Sequence, residues 1–102
     1  MKKHAVVAMA LAVGTFSTAT LAAGDAAAGQ AKAGICTACH GPTGQSPNDL
    51  WPNLASQKPG YLSKQMKAFR DGTRADPMMS PMAKPLTDAD IENLSAFFSS
   101  QK

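Results

Sequence analysis

The only two cysteines of the chain lie three positions apart and are followed directly by a histidine, in the order Cys36-Thr-Ala-Cys39-His40. This spacing, with an adjacent imidazole, is typical of the covalent attachment site of a c-type haem. Each thiol can form a thioether with one vinyl group of the porphyrin, and the short turn between the thiols clamps one edge of the ring. His40 then lies where its imidazole can reach the iron. The motif therefore predicts one haem c, held covalently by Cys36 and Cys39.

Two other kinds of site use a pair of cysteines at this spacing. A closed zinc site needs four ligands, and no histidine or cysteine follows His40 in the sequence. A thiol–disulfide enzyme of the thioredoxin type carries its cysteines next to a βαβ unit, and no segment here predicts a strand. We therefore favour the haem, although two free thiols that titrate in the mature protein would favour a thiol–disulfide enzyme.

Residues 1–22 have the order of a secretory signal peptide. Lys2 and Lys3 precede an apolar run over residues 5–13, and small and hydroxyl residues follow. This order predicts cleavage between residues 22 and 23, or between 23 and 24, and a single mature domain, 23–102, in the periplasm. An uncleaved membrane anchor is the alternative, but the apolar run is shorter than the roughly 20 residues that a spanning helix needs. We expect no stable membrane insertion after cleavage.

The charge of the chain argues against a nucleic-acid partner. The whole sequence has ten Lys plus Arg and seven Asp plus Glu, a formal net charge of +3. Removal of the signal peptide takes away two lysines and no acid, which leaves eight basic and seven acidic residues, a net charge of +1. No long basic run or stripe of basic and aromatic residues is present, so we expect no nucleic-acid binding.

Three segments of the predicted mature chain have helical patterns. The first begins after Asp25, a suitable N-cap, and runs through the alanine-rich residues 26–33 towards Cys36. Gly29 lies inside this segment, where glycine weakens a helix. We therefore expect Gly29 to mark a close crossing with another helix.

The second and third helices have clearer boundaries. Pro59 suits the first turn of the second helix, and Gly72 can end it. The third begins at Thr87 with a variant of the capping box, in which Asp90 replaces the usual glutamate. Each helix has an apolar stripe at helical spacing, formed by Leu62, Met66 and Phe69 in the second and by Ile91, Leu94 and Phe98 in the third.

A haem bound by one histidine has either a sixth iron ligand or an open position. The second histidine, His4, lies within the predicted signal peptide, so the mature chain cannot supply two histidine ligands. A methionine thioether is the obvious remaining ligand, and it raises the reduction potential. Three methionines, Met78, Met79 and Met82, lie in the predicted loop between the second and third helices.

Together these motifs resemble the class I c-type cytochromes. The chain is most similar to the small one-haem periplasmic members from bacteria and to single halves of the two-haem carriers. The resemblance covers nearly the whole predicted mature chain, and it is carried by Gly24-Asp-Ala-Ala-Ala-Gly-Gln, Cys36-Thr-Ala-Cys-His-Gly, Trp51-Pro-Asn-Leu-Ala, Tyr61-Leu-Ser-Lys-Gln-Met, Met79-Ser-Pro-Met82 and Pro85-Leu-Thr-Asp. It implies an all-α fold with three main helices and long loops wrapped around one covalently bound haem.

The resemblance also implies roles for individual residues. In the family, the methionine ligand is the first of a Met-x-x-Met pair and lies six residues before a Pro-Leu pair, which points to Met79. The axial iron ligands would then be His40 and Met79, with Met78 and Met82 as alternatives for the second. The carbonyl of Pro52 is expected to accept a hydrogen bond from the distal ring nitrogen of His40.

The predicted function is the transfer of single electrons between other redox proteins. We expect transient docking to cytochrome complexes, terminal oxidases or dehydrogenases, with no catalysis by the chain itself. Two alternatives stay open. The chain could be the haem subunit of a dehydrogenase or oxidase complex, and co-purification with a larger protein would favour this role. It could also be a haem enzyme acting on peroxide or small gases, and a high-spin haem that reacts with carbon monoxide would indicate this activity.

Overall fold

A computed structural model describes residues 2–14 and 24–102 of the chain. Its five α-helices are α1 (Ala26–Lys32), α2 (Gly34–His40), α3 (Pro59–Asp71), α4 (Met79–Ala83) and α5 (Asp88–Ser100). No strand occurs in the two described ranges, so the predicted all-α fold class is confirmed. The predicted cleavage points, 22/23 and 23/24, lie outside the described residues. Within those residues, no helix is long and apolar enough to cross a membrane.

Side-chain hydrogen bonds at the N-terminal ends explain where α1 and α5 begin. The Asp25 carboxylate accepts hydrogen bonds from the backbone N–H groups of Ala27 (2.9 Å) and Ala28 (3.3 Å) and so caps α1. At α5, the Asp90 N–H donates to Thr87 Oγ1 (3.1 Å), and the Thr87 N–H donates to Asp90 Oδ2 (3.0 Å). Aspartate therefore completes the capping box as glutamate usually does.

The structure differs from the predicted helices in two places. The first predicted helix is divided into α1 and α2 at Ala33, and α2 continues to His40. The second difference is α4, which lies within the segment that we predicted as a loop between the second and third helices. Pro81 is the third residue of α4, and its missing N–H costs nothing there because a first-turn N–H has no partner within the helix.

Helices α1 and α5 come into close contact at Gly29. A Cβ atom on this residue would overlap the carbonyl oxygen of Asn93 and would lie 2.9 Å from the Cβ of Phe97. Any side chain would push the two helices apart, which confirms the predicted close crossing at Gly29. Beside this contact the Phe97 and Phe98 rings pack with their centroids 5.0 Å apart.

Helix α5 packs against α1 and α3. Glu92 of α5 contacts α3 through the Ser63 hydroxyl (2.6 Å) and the Lys67 ammonium group (3.1 Å). Leu54, in the long loop before α3, packs against the same core as Met66 and Phe69 of α3. The buried apolar residues are Ala33, Leu62, Ala83, Leu86, Ile91, Leu94, Phe97 and Phe98. This core holds α2, α4 and the long loop in fixed positions.

Candidate functional site

Helix α2 carries both cysteines and the histidine of the predicted attachment motif. Cys36 and His40 are four positions apart and Cys39 is three positions from Cys36, so all three side chains project from neighbouring positions on the helix. Both thiols are free and half-buried. Burial raises the pKa of Cys36 to about 11. A thiol–disulfide enzyme needs a lowered thiol pKa, so this environment does not fit that alternative.

His40 is held in one orientation by the long loop that follows it. Its side chain is buried, and its Nδ1 atom lies 2.8 Å from the carbonyl oxygen of Pro52. A carbonyl oxygen can only accept, so Nδ1 carries the proton and donates it in this bond. In the neutral tautomer with this proton, Nε2 has the free lone pair and is the ring nitrogen that can bind a metal. The contact is the one that the family resemblance implied for Pro52.

Two glycines shape the loop that brings Pro52 to His40. Gly41 ends α2 with a φ angle of 86°, and its N–H donates to the Thr37 carbonyl (2.9 Å). Gly44, with a φ of 84°, accepts hydrogen bonds at its carbonyl from Leu54 N–H (2.7 Å) and Ala55 N–H (3.0 Å). The two bonds to Gly44 join the chain before Pro52 to the chain after it, and so they close the loop that carries Pro52. Because φ values in this range strain other residues, both positions favour glycine.

The three candidate methionines differ in burial. Met79, the first residue of α4, is half-buried, whereas the side chains of Met78 and Met82 are 55% and 50% exposed. Helix α4 packs against α3, and its Ala83 is in the core. Met79 is therefore the least exposed of the three.

Asp76 is a site residue that sequence reasoning did not identify. Its Oδ1 atom accepts hydrogen bonds from the backbone N–H groups of Met78 (2.8 Å) and Met79 (2.7 Å). These two N–H groups lower the pKa of the Asp76 carboxyl, so it is ionised at neutral pH. An aspartate just ahead of a helix, followed here by Pro77, is a known signal for a helix start, and it could have been used to place α4.

The side chains present fit a haem better than a simple metal ion. In residues 2–14 and 24–102, no group of three or more His, Cys, Asp or Glu side chains is placed to hold a metal. The donors are instead two thiols three positions apart on one helix, an imidazole with an available nitrogen, and a half-buried thioether. Thiols can attach a porphyrin covalently, and imidazole and thioether are iron ligands in cytochromes c.

Comparisons with known proteins agree with this donor set. A family model described as cytochrome c matches residues 23–102. Cytochrome c-554(548) of Halomonas halodenitrificans is 48% identical over 83 residues, which cover 78% of this chain and 100% of that protein. A thiosulfate dehydrogenase electron acceptor from Thiomonas intermedia is 41% identical over 71 residues, 69% of this chain and 33% of that protein.

A solved structure shows the same fold. Reduced recombinant cytochrome c4 from Pseudomonas stutzeri superimposes with a TM-score of 0.75 and is 44% identical, and the match covers 78% of this chain and 47% of that one. The chain spans about a third to a half of the length of the cytochrome c4 proteins that it matches. The likeness therefore applies to part of those longer proteins.

Proposed function

Because this chain belongs to the cytochrome c family, we propose that it is a periplasmic electron carrier that passes single electrons between redox proteins. The cofactor of the family is a covalently bound haem c, with one haem in a domain of this kind. When bound, the haem supplies reversible one-electron chemistry at its iron. The observation that carries the proposal is the arrangement of Cys36, Cys39 and His40 on α2, with the His40 ring held by Pro52.

Residues of α2 would hold and orient the haem. Cys36 and Cys39 would form the two thioether bonds, and His40 Nε2 would be the first iron ligand. The hydrogen bond from His40 Nδ1 to Pro52 places a ring proton on Nδ1, limits rotation of the ring and makes Nε2 a stronger donor to a metal. Attachment and the first iron ligand would therefore both depend on one short helix.

Met79 would be the second iron ligand. Its support is the family spacing, its partial burial and the two hydrogen bonds that Asp76 accepts from the Met78 and Met79 backbone. With His40 and Met79 both bound, no position at the iron stays open for a substrate. This ligand set suits electron transfer without catalysis, and we propose that the chain by itself is not an enzyme.

Covalent attachment of the haem to the chain can be tested with protein that has been exported to the periplasm of bacterial cells. After denaturation and extraction with acidified organic solvent, the haem should stay on the chain. Cys36→Ala and Cys39→Ala should each sharply reduce the amount of mature holoprotein, and His40→Ala should prevent normal assembly. Haem that is freely extracted from the unmodified chain would contradict covalent attachment.

A more specific role is suggested by the relative from Thiomonas intermedia, whose name is thiosulfate dehydrogenase electron acceptor. We propose that this chain also receives electrons from a dehydrogenase through transient docking. The alternative is a permanent subunit of a dehydrogenase or oxidase complex. A protein purified without affinity tags that elutes alone in size-exclusion chromatography supports the free carrier, and co-elution with a larger redox protein supports the subunit. A reaction of the isolated protein with carbon monoxide or peroxide would instead support the enzyme alternative.

A further inference from the structure

We infer that Asp76 is the positioning residue for Met79: its carboxylate orients the backbone from which the thioether extends. This inference rests on the proposed function, because it takes Met79 as an iron ligand. Asp76 would not touch the haem iron itself. It would act by keeping the Met79 backbone in the geometry that the ligand needs.

The first observation is that one carboxylate oxygen serves two consecutive N–H groups. Asp76 Oδ1 accepts from Met78 N–H at 2.8 Å and from Met79 N–H at 2.7 Å. Helix α4 begins at Met79, and its N-cap residue, Met78, supplies no side-chain cap of its own. The Asp76 carboxylate therefore takes the place of the missing cap. Hydrogen bonds to an ionised acceptor are about twice as strong as those between neutral groups.

The second observation is that the backbone of Asp76 forms two hydrogen bonds with Ser80, the residue that follows Met79. The Ser80 N–H donates to the Asp76 carbonyl (3.0 Å), and the Asp76 N–H donates to Ser80 Oγ (3.0 Å). The Ser80 hydroxyl in turn donates to the Arg74 carbonyl (3.4 Å). Met79 thus lies within a closed set of hydrogen bonds that joins residues 76 and 80.

The third observation connects this set of bonds to the rest of the fold. The Arg74 N–H donates to the Ala68 carbonyl of α3 (3.1 Å), and the Arg74 guanidinium lies 4.4 Å from the centre of the Phe69 ring. Arg74 also donates to Gln65 Oε1 (2.7 Å). Since Phe69 packs against the core, the position of Asp76 is fixed relative to α3.

The functional consequence is competition at the sixth iron position. An added ligand such as imidazole can bind there only when Met79 leaves, so its apparent affinity measures how firmly Met79 is held. Loss of the Asp76 carboxylate removes two charge-assisted hydrogen bonds from the Met79 segment. We expect imidazole to bind at least about tenfold more tightly as a result, which is the low end of the usual strength of a single hydrogen bond to a charged group.

The experiment is a titration of the oxidised holoprotein with imidazole, followed by the change in the visible haem absorption and, in the variants that keep Met79, by the loss of the weak near-infrared band that reports sulfur ligation. Asp76→Ala should bind imidazole at least about tenfold more tightly than the wild type, and Ser80→Ala about threefold more tightly. Asp76→Asn should stay within about threefold of the wild type, because its amide oxygen can accept the same two N–H groups. Asp88→Ala is the matched control: it loses an ion pair of 2.7 Å with Arg70 on α3 but no contact with Met79, and its imidazole affinity should be unchanged.

Several outcomes would overturn the inference. If Asp76→Ala and Ser80→Ala both bind imidazole as the wild type does, Asp76 does not position Met79. If Asp88→Ala tightens binding as much as Asp76→Ala, the effect is a general loss of stability. Met79→Ala separates this inference from the proposed function. If Met79→Ala binds imidazole with the affinity of the wild type, the assignment of Met79 as an iron ligand is wrong. If Met79→Ala binds imidazole more tightly but Asp76→Ala does not, only the role of Asp76 is wrong.

Discussion

His40 Nδ1 and the carbonyl oxygen of Pro52 form a 2.8 Å hydrogen bond that joins the end of α2 to the loop twelve residues further along the chain. This bond assigns the proton to Nδ1 and leaves Nε2 as the available ligand atom. It also links the attachment helix to a loop whose own backbone is bonded to the C-terminal helix, because the Ser56 N–H donates to the Phe98 carbonyl (3.1 Å). The orientation of the imidazole therefore depends on the packing of α5.

The choice of Met79 among three neighbours gives the first prediction. Met79→Ala should abolish the sulfur-to-iron charge-transfer band and lower the reduction potential, because a thioether ligand favours ferrous iron. Met78→Leu and Met82→Leu should keep the band, with losses of stability below about 1.5 kcal/mol. Near-infrared absorption and a redox titration of the three variants check this. Loss of the band in Met82→Leu with retention in Met79→Ala would show that Met82 is the ligand.

Gly29 gives a prediction about the helix crossing. Gly29→Ala should destabilise the domain by about 1–3 kcal/mol, because the added methyl group overlaps the Asn93 carbonyl at the α1–α5 contact. Gly60→Ala is the control: within the described residues, no atom outside its own helix backbone lies within 4 Å of the added Cβ. Because alanine favours helix more than glycine does, Gly60→Ala should leave stability unchanged or increase it by up to about 1 kcal/mol. Denaturant unfolding followed by circular dichroism measures both, and equal midpoints would contradict the close crossing.

Ser95 gives a prediction in the opposite direction. It is buried in α5, and its Oγ atom has no hydrogen-bond partner among the described residues. Burial of an unpaired hydroxyl costs about 1–3 kcal/mol, so Ser95→Ala should raise the thermal midpoint of the holoprotein. Ser63→Ala is the matched comparison, since the buried Ser63 hydroxyl donates to Glu92 (2.6 Å) and its loss should lower the midpoint. A lower midpoint for Ser95→Ala would mean that its hydroxyl has a partner in the holoprotein.

The contact between α3 and α5 predicts a pH dependence. The Ser63 hydroxyl and then the Lys67 ammonium group lower the pKa of Glu92 below its ordinary value of 4.5. The folded state therefore binds a proton at Glu92 less readily than the unfolded state does. The ionised Glu92 carboxylate therefore stabilises the folded state. This contribution is complete above pH 4.5, the ordinary pKa, and is lost as the pH falls through the lowered pKa of the folded state.

Glu92→Gln tests this dependence. Because the Glu92 side chain is 41% exposed, the contribution of its charge at neutral pH should be below about 1 kcal/mol. The thermal midpoint of Glu92→Gln should lie below that of the wild type at neutral pH, and the difference should shrink in acid. If the difference in thermal midpoint stays the same from neutral pH to well below pH 4.5, the Glu92 charge does not contribute to stability.

The sequence alone was sufficient for the features that depend on nearby residues. The order of Cys36, Cys39 and His40 predicted the haem, and the caps at Asp25 and Thr87 predicted where α1 and α5 begin. A cap is formed by groups within three residues of one another, and an apolar stripe needs only the helical repeat. For this reason a cap or an apolar stripe predicts a helix wherever its segment lies in the fold.

Other features were decided by the tertiary structure. Gly29 predicted a close crossing, but only the packed helices show that Asn93 is its neighbour. The Asp76 cap of α4 is a local feature, but only the packed structure shows that this segment is joined to α3 through the contact of Arg74 with the Phe69 ring. Contacts between residues far apart in the chain depend on how all the helices pack around one core, and no short segment contains that information.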